Sequence, residues 1–184
     1  VRKQFKKVEG TVKEEISKLY EVTCDTCGKP ATTKWSLWST VVICPQPECK
    51  QVVVLSEVKK ASGGRYICPI CNKPFNAIDC ERLDEKMVRI AYRCPSCGTS
   101  SERAPTDNDM ESYQQSTSKL AKMAQNGQLS YPQDMIPDGD RVRDDALYKK
   151  GYTHFYQFFT KRNLLANSML KKAITDLDSN LEAT

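Results

Sequence analysis

The chain has 184 residues, 39% of them hydrophobic and 28% charged, with nine cysteines and one histidine. This composition argues against a single large apolar core, and no apolar run approaches the roughly 20 residues of a membrane-spanning helix. The formal charge of +5 is a weak guide to partners. Eight thiolates around two dications would subtract four and leave about +1, so charge distribution matters more than the sum.

Residues 1–20 place Phe5, Val8, Val12, Ile16 and Leu19 at three- and four-residue spacing between lysines and glutamates. That pattern predicts an amphipathic helix whose role is packing. Four close cysteine pairs follow: Cys24/Cys27, Cys44/Cys49, Cys68/Cys71 and Cys94/Cys97. A tight turn with two residues between cysteines aims both sulfurs at one point, and a second turn completes a tetrahedron. Gly28, Asn72 and Gly98 stand directly after the second cysteine of three pairs. They permit the left-handed backbone that turns amides toward sulfur. The pair Cys44/Cys49 has a longer loop, still within ligand spacing. All eight are therefore candidate metal ligands for two structural Zn2+ ions, although four thiolates also accept iron. The odd cysteine count and the series of pairs speak against a disulfide framework or a single redox CxxC. The expected setting is a reducing cytoplasm. Cys80 is left over and reads as a half-buried small hydrophobe.

The first ribbon is expected over 21–60. Thr32–Trp38 has strand alternation, with Thr33, Trp35 and Leu37 on one face; Val41–Ile43 and Val52–Leu55 are further strands. Trp35 and Trp38 suit either a base-stacking platform or the cover of a thin sheet, and the cover is favoured. A Ser62-Gly63-Gly64 link leads to a second ribbon over 61–104, with Met87–Tyr92 as the strand entering Cys94. Sequential ligation, first four then last four, is expected because each half contains its own strands. Spacing alone leaves interleaved ligation open. The fold class is α+β: two tandem zinc ribbons with small antiparallel sheets, flanked by an N-terminal helix and a C-terminal helical region over 105–184.

In that last region a helix is expected over 109–126, with Asp107 or Asp109 as N-cap and Gly127 as stop. Tyr131–Asp140 is rich in turn formers and reads as a connector or contact loop. Thr160 caps a final helix with Leu164, Leu165, Ser168, Met169, Ala173, Ile174 and Leu177 on its packing side. Residues 141–172 are locally basic, and Arg141, Arg143, Lys149, Lys150, Lys161 and Arg162 are candidate nucleic-acid contacts. Lys161 and Arg162 oppose the dipole of the final helix, where cations usually answer to a nearby anion or tolerate exposure. His154, among Tyr152, Phe155 and Tyr156, reads as packing.

Ile136-Pro-Asp-Gly-Asp140 and the run from Gly151 to Ala166, above all Phe158-Phe-Thr-Lys-Arg-Asn-Leu-Leu-Ala166, resemble the middle of a group of bacterial DNA methyltransferases. Tyr131-Pro132 resembles that family's linker. Lys18-Leu-Tyr20 resembles the segment that precedes its tandem zinc-ribbon insertion. The resemblance covers most of the chain, strongest over 131–177 and loosest inside the ribbons. It implies a parent enzyme that transfers a methyl group from S-adenosylmethionine to adenine N6 or cytosine N4. The family's Asp-Pro-Pro-Tyr motif and glycine-rich cofactor loop do not occur here. No catalytic or cofactor-binding residue is therefore carried over, and the chain by itself is expected to be inactive. Val1 lies within a helical pattern and Asn180–Thr184 continues another, so a segment of a longer protein is expected. The implied partners are double-stranded DNA and the catalytic domain of the same parent chain, against which Phe155, Phe158 and Phe159 would pack. The competing reading is a non-enzymatic tandem zinc-ribbon module that binds nucleic acid or protein.

Overall fold

The computed structural model describes residues 2–128 and 131–182. The amphipathic stripe of the N-terminal segment forms α1 (Arg2–Leu19), with Val12 and Leu19 buried. It packs with α2 (Asp107–Gln125) and α4 (Lys161–Glu182) around Leu19, Leu120, Leu164, Leu165 and Met169. The N-cap of α2 is Thr106, one residue before Asp107 and three before Asp109, the two expected candidates. Its side chain accepts from the Asp109 amide, and the Asp109 carboxylate reaches back to the Thr106 amide. Asp109 thus belongs to a reciprocal capping box as its third helical residue, which is why it is not the cap itself. Thr160 does cap α4, its hydroxyl accepting from the Asn163 amide at 3.3 Å. Leu164, Leu165, Ser168, Met169 and Ala173 are buried as the stripe requires, whereas Ile174 is largely exposed.

Between α1 and α2 the chain builds a five-stranded antiparallel sheet and a small two-stranded one. Its strands are β1 (Glu21–Thr23), β2 (Pro30–Ile43), β3 (Val52–Val54), β4 (Tyr66–Ile67), β5 (Pro74–Phe75), β6 (Arg82–Arg93) and β7 (Ser100–Arg103). The two strands expected over 32–38 and 41–43 are one, because β2 runs unbroken for 14 residues. It pairs along most of its length with β6, from Thr32↔Arg93 to Val42↔Arg82. Register shifts at Thr33/Trp35, Leu37/Trp38 and Val41/Val42 mark bulges, which bend and twist so long a ribbon. The helices cover one face: Trp38 lies 4.5 Å from Tyr113 of α2, ring centre to ring centre. Trp38 is thus part of the cover that a thin sheet needs, while Trp35 remains 45% exposed.

A short helix α3 (Asp140–Asp144) interrupts the 131–160 segment. That segment is pinned by a bridge between Met135 and His154 and by the Ile136 amide donating to Thr153 O at 2.9 Å. His154 packs as expected, with its ring 5.5 Å from Tyr156 and its Nδ1 2.8 Å from Thr153 Oγ1.

Candidate metal centres

Every cysteine pair sits in the turn of a hairpin. Cys24/Cys27 joins β1 to β2, Cys44/Cys49 joins β2 to β3, Cys68/Cys71 joins β4 to β5, and Cys94/Cys97 joins β6 to β7. The backbone after each second cysteine is left-handed, with φ of +67° at Gly28, +50° at Lys50, +56° at Asn72 and +75° at Gly98. The longer Cys44–Cys49 loop therefore ends in the same geometry as the other three, with a lysine where glycine or asparagine is easier. This conformation turns amides toward sulfur: those of Thr26 and Cys27 toward Cys24, Gln46 toward Cys44, Gln51 toward Cys49, and Ile70 and Cys71 toward Cys68.

The sulfurs gather into two groups, Cys24/Cys27/Cys94/Cys97 and Cys44/Cys49/Cys68/Cys71, each with its ligand atoms within 4.8 Å of one another. This corrects the expectation of sequential ligation. The second group nests inside the first, and both groups straddle the expected division between ribbons at residues 60 and 61. The cause is the β2–β6 ladder. Antiparallel pairing of Thr32 with Arg93 lays the first knuckle beside the fourth. The opposite end of β2 carries the second knuckle to the third.

The spacing fits a tetrahedral ion. A Zn–S bond of about 2.3 Å implies tetrahedral S–S edges of about 3.8 Å. The observed separations are 3.7 Å for Cys24–Cys97, 3.6 Å for Cys27–Cys94, 3.9 Å for Cys44–Cys71 and 3.7 Å for Cys49–Cys68. Disulfides would need about 2.05 Å. Four sulfurs this close cannot all ionise without a cation. Hydrogen bonding with the side chain and then the backbone of Thr99 draws the Cys97 thiol down to about 6. Burial opposes ionisation of Cys68, but the Cys71 and Ile70 amides bring it to about 7. Burial and proton sharing with the other three sulfurs push Cys44 up to about 12. A dication removes this conflict, so both groups suit a structural metal, and zinc matches the donor set. Cys80 belongs to neither group. Half-buried against the inner site's core, it donates to Asn76 O at 3.2 Å.

The outer site is tied to the helices by residues that the cysteine pattern does not point to. Arg103, at the end of β7, makes an ion pair with buried Asp109 of the capping box. Its Nε also lies 3.1 Å from Asp25 Oδ1, inside the first knuckle, although that N–H is not aimed at the oxygen. Burial alone would raise the Asp109 carboxyl, but hydrogen bonds from Arg103 and Thr106 outweigh it and hold the group below its usual range. The Asp25 amide donates to the Tyr92 hydroxyl at 3.2 Å. The one legible signal in the sequence was Thr106-x-x-Asp109, a capping-box spacing.

The candidate cations separate into three kinds. Arg141 pairs with Asp145 at 3.5 Å, and Arg143 with Asp138 at 3.3 Å and Asp140 at 2.7 Å. These exposed pairs are weak and leave both arginines accessible. Among the described residues Lys149, Lys150 and Lys161 are exposed without an acidic partner, Lys161 lying 5.6 Å over the Tyr156 ring. Arg162 departs from expectation. It is only 5% exposed, so it cannot meet a duplex backbone laid across the surface. Phe155, Phe158 and Phe159 are each about half exposed, and Phe158 stacks on Tyr152 at 5.3 Å.

No family model, curated protein or solved structure matches the chain. The two thiolate sets define it as a metal-binding module. Among the described residues no helix is long and apolar enough to cross a membrane.

Proposed function

We propose that the chain is a zinc-stiffened segment of a DNA amino-methyltransferase, and that it positions double-stranded DNA beside the catalytic domain of its parent enzyme. The observation that carries this reading is the surface between α3 and α4. There Lys149, Lys150 and Lys161, which have no acidic partner among the described residues, flank the exposed rings of Phe155, Phe158 and Phe159 along the chain. Exposed aromatic rings clustered on one short segment suit a protein contact, and the lysines suit phosphates, which orient a duplex without reading its sequence. The resemblance over 131–177 includes this same segment and supplies the parent enzyme. S-adenosylmethionine would bind to that parent, not to these residues.

Two measurements test the proposal. Duplex binding by the zinc-loaded chain, followed against salt, should give a log–log slope that becomes shallower by about 0.9 for each phosphate-contacting lysine replaced by glutamine. A flat salt response would remove the DNA role. Flanking gene sequence without an upstream cofactor loop and a downstream Asp-Pro-Pro-Tyr would defeat the methyltransferase reading. The non-enzymatic zinc module would remain.

A further inference from the structure

Among the described residues, Arg162 is a charge without a counter-ion. Its guanidinium donates only to neutral oxygens, Leu19 O at 3.4 Å and Ser36 Oγ at 3.1 Å, and its Nε has no partner. It lies 4.9 Å from the centre of the Tyr20 ring. The acid whose field reaches it, Asp109, is committed to Arg103. A buried cation with no anion is costly. The position is also unfavourable for a cation, because Arg162 is the second residue of α4 and opposes the helix dipole. Arg103, by contrast, lies between two carboxylates with its side chain still 12% exposed.

A cleft of about 280 Å³ opens above Arg162, between the bulged part of β2 and the start of α4. No aspartate or glutamate lines it, and Lys34 adds a second cation. Thr33 Oγ1 is buried there without a partner. Asn163 accepts from the Tyr20 hydroxyl through Oδ1 at 2.7 Å, which leaves its amide hydrogens free to donate. The bulge at Lys34 brings Trp35 to the same cleft, and this indole is 45% exposed. Two cations, free N–H and O–H donors and a helix N-terminus match a doubly charged phosphate better than a single carboxylate. An exposed indole beside them offers a stacking face for a planar ring. The volume lies just under the roughly 300 Å³ at which drug-sized sites begin, enough for one phosphate and part of one ring.

We propose that this cleft binds a single nucleotide unit, with its phosphate on Arg162, Lys34 and the Asn163 amide and its base against Trp35. The unit is either a free nucleoside monophosphate or the 5′-phosphorylated end of a single strand. The inference is independent of the DNA-positioning reading, which concerns the Lys149–Lys161 surface.

The test uses the zinc-loaded full chain. Fluorescence reports directly, since Trp35 and Trp38 are the only tryptophans. Deoxyadenosine monophosphate should quench saturably and, at about 100 times its Kd, raise Tm by roughly 5 °C. Inorganic phosphate should compete more weakly, and unphosphorylated deoxyadenosine should bind at least about tenfold more weakly. Arg162→Met should abolish the phosphate-dependent rise, yet melt no lower than the parent without ligand, because it removes an uncompensated buried charge. Trp35→Ala, at an exposed position, should reduce nucleotide affinity to that of inorganic phosphate. A 5′-phosphorylated single strand that binds about tenfold more tightly than the mononucleotide identifies a strand end as the ligand; equal affinity identifies the free nucleotide. Absence of any phosphate-dependent Tm shift, or its survival in Arg162→Met, overturns the proposal. If that variant fails to fold, unchanged nucleotide affinity in both Lys34→Gln and Trp35→Ala overturns it equally. Loss of duplex binding in lysine variants that still bind the mononucleotide separates the two sites.

Discussion

Removing four cysteines at once distinguishes nested from sequential ligation by metal stoichiometry alone. The variant C24S/C27S/C94S/C97S empties the outer group and leaves Cys44, Cys49, Cys68 and Cys71 intact, so it should hold one zinc. The variant C24S/C27S/C44S/C49S takes two ligands from each group and should hold none at high affinity. The two sites should also load unequally. The inner site's closest cross-knuckle pair, Cys49–Cys68, is 19 residues apart, whereas Cys27–Cys94 of the outer site is 67 apart. Closing the longer loop costs about 1.1 kcal/mol more, roughly sixfold in affinity. Filling the inner site shortens the loop that the outer site must close. The shortening is from 67 to about 48 residues, worth about 0.3 kcal/mol and acting equally on either site, so Cys68→Ser and Cys94→Ser should each weaken the remaining site by less than about twofold. Cobalt substitution reports both sites through thiolate charge-transfer absorption, and zinc released to a chromogenic chelator gives the count. A single retained zinc in the C24S/C27S/C44S/C49S variant, with none in the other, would refute the nested arrangement and the β2–β6 register behind it.

Complete chelation should collapse the sheet, because in comparable zinc-built modules metal binding supplies on the order of 10–16 kcal/mol of folding free energy; unchanged circular dichroism after metal removal would contradict this. Asp109→Asn should cost about 3 kcal/mol at pH 7, since it removes the buried carboxylate that pairs with Arg103 and closes the capping box. The Asp109 carboxyl is held below its ordinary value of 3.8 in the fold. Its stabilisation is thus present above that value and lost as pH falls through the depressed one. The variant's acid limb in urea titrations should be correspondingly shallower. Gly98→Ala should cost about 1 kcal/mol through its positive φ alone, because nothing lies within 4 Å of the added methyl. At Lys50, where φ is +50°, substitution by glycine should be neutral or slightly stabilising in thermal melts. Leu165→Ala, in the fully buried centre of the helical core, should cost about 3 kcal/mol by denaturant unfolding.

Much of this molecule was legible locally. The four knuckles could be read because two residues between cysteines and a following glycine or asparagine dictate a turn whatever surrounds it. The stripe of α1 and the Thr160 cap of α4 were legible for the same reason, since helical periodicity and capping act within a few residues. The start of α2 was misplaced by one cap because Thr106 and Asp109 both carry capping chemistry, and only their reciprocal bonds assign the roles. What the sequence alone determined was therefore a set of metal knuckles and amphipathic helices. Tertiary structure decided which knuckles share an ion, because that follows from an antiparallel ladder joining residues some forty to sixty positions apart, for which spacing carries no signal. It also decided that Arg162 is enclosed while Lys149 and Lys150 face water. Burial of a side chain depends on what other segments, here Tyr20 and Ser36, bring against it.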